Sequence, residues 1–155
     1  KETKMQTIVR KDTNVSLYYL EDSKTVDIGS NQTTISNSGT PELIIADCDS
    51  SNAILHKSVD AKSDWYGWKY KHDGSAWSAN TDFKGIDFLS SDINDSVTTI
   101  PVGNSNPFTT SGTVQIGDEK ITYTGVDGKN LTGCTRGAAS TSAASHTSND
   151  NVRQI

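Results

Sequence analysis

The sequence is poor in the residues that would make it a membrane protein, a metalloprotein or a large enzyme. Only 32% of its 155 residues are hydrophobic, and no run approaches the ~20 apolar residues that a membrane helix requires. The N-terminus has no apolar signal region either, so a soluble, non-membrane chain is expected. Two cysteines, Cys48 and Cys134, are far apart and fit no metal-ligand spacing. They are expected as separate, reduced, half-buried thiols. There is one methionine and there are three histidines, none in an H-x-H or H-x-x-H pair that would place two imidazoles on one ion. Positive charge is short as well. Lys and Arg number 14 against 19 Asp and Glu, and a net charge of −5 argues against duplex nucleic acid as the principal partner. The one basic stretch is Lys1, Lys4, Arg10 and Lys11, read as a solvated end.

Ser and Thr are abundant instead. They contribute 20 and 19 residues, about a quarter of the chain, which favours short strands and many turns over amphipathic helices. The four Asn-x-Ser/Thr sequons, at Asn14, Asn31, Asn94 and Asn130, are read as chance in such a composition. From Gln6 to Ser36, β-branched and aromatic runs alternate with polar clusters: Thr7–Arg10, Val15–Leu20, Thr25–Ile28 and Thr33–Ile35. A turn at Asn37–Pro41 leads to Leu43–Ala46, predicted as a buried strand. Asp47 to Asp64 is the least strand-like part, with a short helical turn or irregular edge expected around Ser51–Leu55.

An aromatic block follows. Trp65, Tyr66, Trp68 and Tyr70 precede a turn at His72–Ser75, and Trp77 returns on the partner strand, which predicts a hairpin. Alternation would set Tyr66, Trp68 and Tyr70 on one face. Trp68, Tyr70 and Trp77 are expected in the core, and Trp65 and Tyr66 as the exposed pair able to bind a partner or a surface glycan. Residues from about 80 to 96 read as a connector packing Phe83, Ile86, Phe88 and Leu89. Domains of 1–90 and 91–155 follow.

In the second domain, Val97–Val102 precedes a loop, and Thr113–Ile116 turns at Gly117-Asp118 into Lys120–Thr124. Period-2 alternation turns Val114, Ile116, Ile121 and Tyr123 inward and Thr113, Gln115, Lys120, Thr122 and Thr124 outward. With a turn at Asp127-Gly128 and a strand at Asn130–Thr132, a three-stranded meander is predicted. Gly137 to Asn151 has no periodicity. It is expected as a mobile tail or a strap ordered by something outside the chain. The fold class is therefore all-β, with two small antiparallel modules, sandwich- or barrel-like, and a loop-rich C-terminal tail. The inner face of the second module, completed by Leu131, is small enough that neighbouring subunits are expected to complete it.

Several residues carry a resemblance. Thr98-Thr99-Ile100-Pro101-Val102, the run from Ser111 to Gly125, and Leu131-Thr132-Gly133-Cys134-Thr135-Arg136-Gly137 followed by alanines ahead of His146 resemble a module recurrent in structural proteins of tailed bacteriophages. The match covers about 97–152. Thr7 to Tyr18, together with Trp65, Gly67 to Tyr70, Asp73-Gly74 and Trp77, is similar to small structural proteins of marine and cyanobacterial phages, with Lys1 to Lys4 outside it. This resemblance implies a virion location after assembly in the bacterial host cytoplasm. It implies a scaffold that decorates or connects capsid or tail components as an oligomer, and it names no catalytic residue.

No motif argues for catalysis. A G-x-S-x-G elbow is absent, and His56, His72 and His146 each lie in polar context, which predicts exposed or turn-bound rings. Asp47 to Asn52 is acidic but lacks the Gly and distal Glu of an EF-hand loop, so a solvated turn is expected. Gly103 and Gly112 flank a loop with neither the Lys-Ser/Thr nor the helix of a phosphate-binding loop. No cofactor, metal or catalytic residue is assigned. The alternative function is a carbohydrate- or receptor-binding accessory using the Trp/Tyr group.

Overall fold

The computed structural model describes residues 2–155, and their regular structure is entirely β, arranged in small antiparallel sheets. The expected all-β class is what the chain adopts. It forms two compact units, divided between Phe83 and Lys84, ahead of the boundary expected near residue 90.

The first unit is organised on β1 (Met5–Arg10), flanked by β2 (Ser16–Glu21) and β6 (Ala53–Val59). Gln6, Thr7, Ile8 and Val9 are all fully buried, so this strand is covered on both faces. Its buried polar side chains, Gln6 and Thr7, project to opposite faces and use their side-chain donors, while Gln6 Oε1 is buried without a partner among the described residues. Thr7 Oγ1 lies 2.6 Å from Ser16 Oγ and donates to the Tyr18 carbonyl at 2.8 Å, and Gln6 Nε2 donates to the carbonyls of Glu21 and Lys24. A second sheet is the meander β3 (Thr25–Ile28), β4 (Thr33–Asn37) and β5 (Thr40–Ile45). Its tight turn uses Ser38 and Gly39 at φ 49° and 84°, the paired positive angles that match strand twist in a two-residue hairpin. Ile8 from one sheet and Ile35 and Ile45 from the other share a core with Cys48 and Ala53. The predicted hairpin is present as β7 (Tyr70–His72) and β8 (Trp77–Ala79).

Two expectations fail in this unit. β6 is the longest strand of the chain, yet it lies in the segment read as least strand-like. It is held by the backbone ladder of β1, with a register shift and a positive φ at Ser58, and not by a clean apolar alternation. Leu43 and Ile44, read as buried, are exposed on edge strand β5 because no described residue of the first unit covers them, and only Ile45 turns into the core.

The second unit contains β9 (Ile86–Phe88), β10 (Ile100–Pro101), β11 (Gly112–Ile116), β12 (Glu119–Tyr123), β13 (Gly125–Asp127), β14 (Asn130–Thr132) and β15 (Asn151–Gln154). One sheet has the order β12-β11-β15-β9 and the other β10-β14-β13. The inward phase of β11 and β12 is as expected: Val114 pairs with Ile121, and Val114, Ile116, Ile121 and Tyr123 are buried.

The meander is not. After Tyr123 the chain bends at Thr124, and β14 pairs with β13 on one side and β10 on the other in a separate sheet. The supposed connector contributes β9, and the C-terminal segment is no loose tail, since β15 inserts between β11 and β9. Its Val152 is fully buried and joins Leu89, Ile93, Ile100, Val102, Phe108 and Leu131 in the core. The chain itself therefore supplies the burial that neighbours were expected to provide. Each such side chain contributes about 1.5–3 kcal/mol.

Candidate functional site

The aromatic segment of the first unit is built around turns. Residues 65–69 do not run as a strand, so the two-residue period that governed the sequence expectation does not apply there. Trp65 is half-buried, stacked on Tyr19 with centroids 5.4 Å apart, and its Nε1 donates to Ser16 Oγ at 2.9 Å. Trp77 sets its edge against Tyr19, Tyr70 and His72, and its Nε1 donates to the Asp60 carbonyl. The Tyr70 hydroxyl donates to Asp64 at 2.5 Å, beside the buried Lys69 ammonium at 3.2 Å. Burial opposes ionisation of Asp64, but Tyr70, Lys69 and Lys62 outweigh it and hold the carboxyl below its ordinary range. Burial pushes the Lys69 ammonium down, partly offset by Asp64.

The expected exposed pair is therefore half right. Tyr66 is exposed, near Phe83 at 6.0 Å. Trp65 belongs to the packing, and the exposed indole is Trp68, at 49%. Trp68 has φ 73°, a left-handed value that a bulky side chain adopts only under constraint, at roughly 1–3 kcal/mol. Its backbone is held from both sides: its N–H donates to the Ser16 carbonyl at 2.9 Å and its carbonyl accepts from Asn80 Nδ2 at 2.7 Å. The Arg10 guanidinium lies 5.9 Å from the ring centroid, itself anchored by Asp12 at 3.0 and 3.1 Å.

Trp68 and Arg10 wall two depressions. The larger, about 490 Å³, adds Val15, Lys71, Asn80 and Asp82. The smaller, about 140 Å³, adds Leu17, Asp47, Cys48 and Asn52. In the acidic loop beside it, Asp49 Oδ1 accepts from the N–H and hydroxyl of Ser51, and Asn52 Oδ1 accepts from the Asp49 N–H. The bonds from Ser51 lower the Asp49 pKa, and the loop satisfies its own charge.

His72 is turn-bound as expected, its Nδ1 accepting from the Gly74 N–H at 3.0 Å, but the histidines depart from expectation in burial. His72 and His146 are buried. His72 lies 5.5 Å from His56, and burial, then the neighbouring imidazole, pushes its pKa down. Both cysteines are free and more deeply buried than expected, and burial raises both thiols.

The second unit holds a buried charge cluster that the sequence reading did not single out. Glu119, its side chain 1% exposed, accepts two bonds of 2.8 Å from Arg136, one from His146 Nε2 at 2.7 Å, and the backbone N–H groups of Gly137 and Ala144. Arg136 also donates to the carbonyls of Asn94 and Ala144. Burial alone would raise the Glu119 carboxyl, but the donors win and bring it down to about 2. One signal was available. Glu119 shares the inward phase of Ile121 and Tyr123, so a charge there requires a buried partner. The cluster clamps the 137–146 segment and is structural.

Among the described residues, no three His, Cys, Asp or Glu side chains come together as metal ligands, and no helix is long and apolar enough to cross a membrane. Comparison of the chain with family models, curated proteins and solved structures finds no match.

Proposed function

We propose that this chain is a non-enzymatic structural protein of a tailed-phage virion, decorating or connecting capsid or tail components through subunit interfaces. The observation that carries the interface reading is a pair of apolar edges. Leu43 and Ile44 are exposed on edge strand β5, the latter at 58%, and Ile86 and Phe88 are exposed on edge strand β9, the former at 52%. An edge strand presents unpaired backbone donors and acceptors, and chains that remain monomeric blunt such edges with charge, proline or cover. Pro41 and Glu42 blunt the backbone edge of β5 and the Phe88 carbonyl already accepts from the Gly103 N–H, so it is the exposed apolar side chains of the two strands, and not backbone pairing, that suit association with copies of the chain or with other virion proteins. The resemblance over about 97–152 supports the virion setting.

The test is light scattering on the wild type and on Leu43→Lys/Ile44→Lys and Ile86→Lys/Phe88→Lys, followed by immunolabelling of intact phage particles. Oligomers that dissociate in at least one lysine pair, together with labelled particles, are expected. A wild type that stays monomeric at high concentration and labels no particle would overturn the reading.

A further inference from the structure

We propose that the Trp68 cleft of the first unit is a binding site for neutral glycans, with the indole as stacking platform for a hexopyranose ring. The inference is independent of the assembly reading.

The first argument is conformational. Trp68 keeps half of its surface in solvent while holding a left-handed φ of 73°, a position where glycine would sit without strain. Burial therefore does not explain the side chain. The hydrogen bonds from the Trp68 N–H to the Ser16 carbonyl and from Asn80 to the Trp68 carbonyl fix the backbone and hence the Cα–Cβ direction from which the ring projects. A ring pre-set in this way loses little entropy when something stacks on it.

The second argument is shape. The larger depression, about 490 Å³, falls in the range of small-molecule sites, and the smaller one shares Trp68 and Arg10 with it. A ligand can thus lie across the indole with substituents on both sides, as a chain of linked rings does.

The third argument is charge and polarity. Arg10 is paired with Asp12 outside the lining, and the lining otherwise carries one cation, Lys71, and one carboxylate, Asp82, so with Asp12 counted the charges cancel and give little attraction for a polyanion. Asn80 gives one Nδ2 hydrogen to the Trp68 carbonyl, and its amide and the Asp82 carboxylate supply polar groups to the same lining. Planar polar groups next to an exposed aromatic face match the two surfaces of a pyranose, its axial C–H groups and its equatorial hydroxyls.

The test uses the full chain on an array of gluco-, galacto- and manno-configured oligosaccharides, with calorimetry on the best probe. Binding in the micromolar to millimolar range is expected, weakened by about tenfold or more in Trp68→Gly. Trp68→Gly suits the local φ, so its melting temperature reports whether the fold survives. Trp68→Tyr should keep part of the affinity. Leu43→Lys/Ile44→Lys should bind like the wild type, and Trp68→Gly should keep the wild-type assembly state, so the two readings fail separately. A blank array, or binding that survives Trp68→Gly, overturns the proposal. So does protection of Trp68 from N-bromosuccinimide by oligomerisation and not by sugar, which would make the cleft a protein interface.

Discussion

Replacing Glu119 by Gln should destabilise the second unit by roughly 3–5 kcal/mol at neutral pH, the range found when one partner of a buried ion pair is removed. The side chain keeps its shape but loses its charge, leaving the Arg136 guanidinium, 7% exposed, without its anion. An independent route gives a similar size. The Glu119 pKa falls from an ordinary 4.5 to about 2, and a shift of that size corresponds to roughly 3 kcal/mol. Because the folded pKa is depressed, this stability is complete above the unfolded value, near 4.5, and is lost as pH falls toward about 2. Urea unfolding of wild type and Glu119→Gln followed from pH 7 to pH 2 should therefore show a gap that is widest at neutral pH and closes in acid. In a unit of this size, such a loss lowers the melting temperature by some 12 °C or more. Glu119→Leu/Arg136→Met should not recover the loss, since the N–H groups of Gly137 and Ala144 would still lack their acceptor. A gap below about 1 kcal/mol at pH 7, or one that acid leaves unchanged, would refute the reasoning.

Three further outcomes are expected. Trp65→Ala should lose about 2–4 kcal/mol by calorimetry, because its indole stacks on Tyr19 and bonds Ser16, whereas Trp68→Gly should stay within about 1 kcal/mol of wild type; equal losses would mean the two indoles are equally structural. Val152→Ala should cost about 2–3 kcal/mol and raise amide exchange along β11 and β15 together, and exchange confined to the last residues would contradict a central position for β15. His72 is held neutral by burial and then by His56, so its folded pKa lies below the unfolded value near 6.5. Stability from this group is complete above that value and declines as pH falls toward the folded pKa. His56→Gln should flatten the decline in urea midpoints below about pH 6.5, and a wild type that shows no decline there would count against it.

What sequence reading recovered was local. The runs at Thr25–Ile28 and Thr33–Ile35, the hairpin closing at Trp77 and the inward phase of Val114, Ile116, Ile121 and Tyr123 all follow from β-branched content, turn residues and a period of two. These are properties of a few consecutive residues, so they survive without knowledge of partners. The same logic misassigned Trp65 and Trp68, because it assumed an extended backbone where residues 65–69 turn.

What escaped was non-local. β6 and β15 carry little apolar pattern, and their strand state is conferred by backbone ladders to β1 and to β11 and β9. Any residue but proline can complete such a ladder, so composition does not announce it. The Glu119 cluster likewise joins groups from β12, Arg136, and the segment 137–146 through burial. The sequence by itself determined an all-β chain, its turns and the core phase of its best strands. Tertiary structure decided which strands pair, that the C-terminal segment becomes a central strand, and which indole faces solvent. Pairing and burial depend on residues far apart in the chain, whose mutual free energy is defined only once they meet.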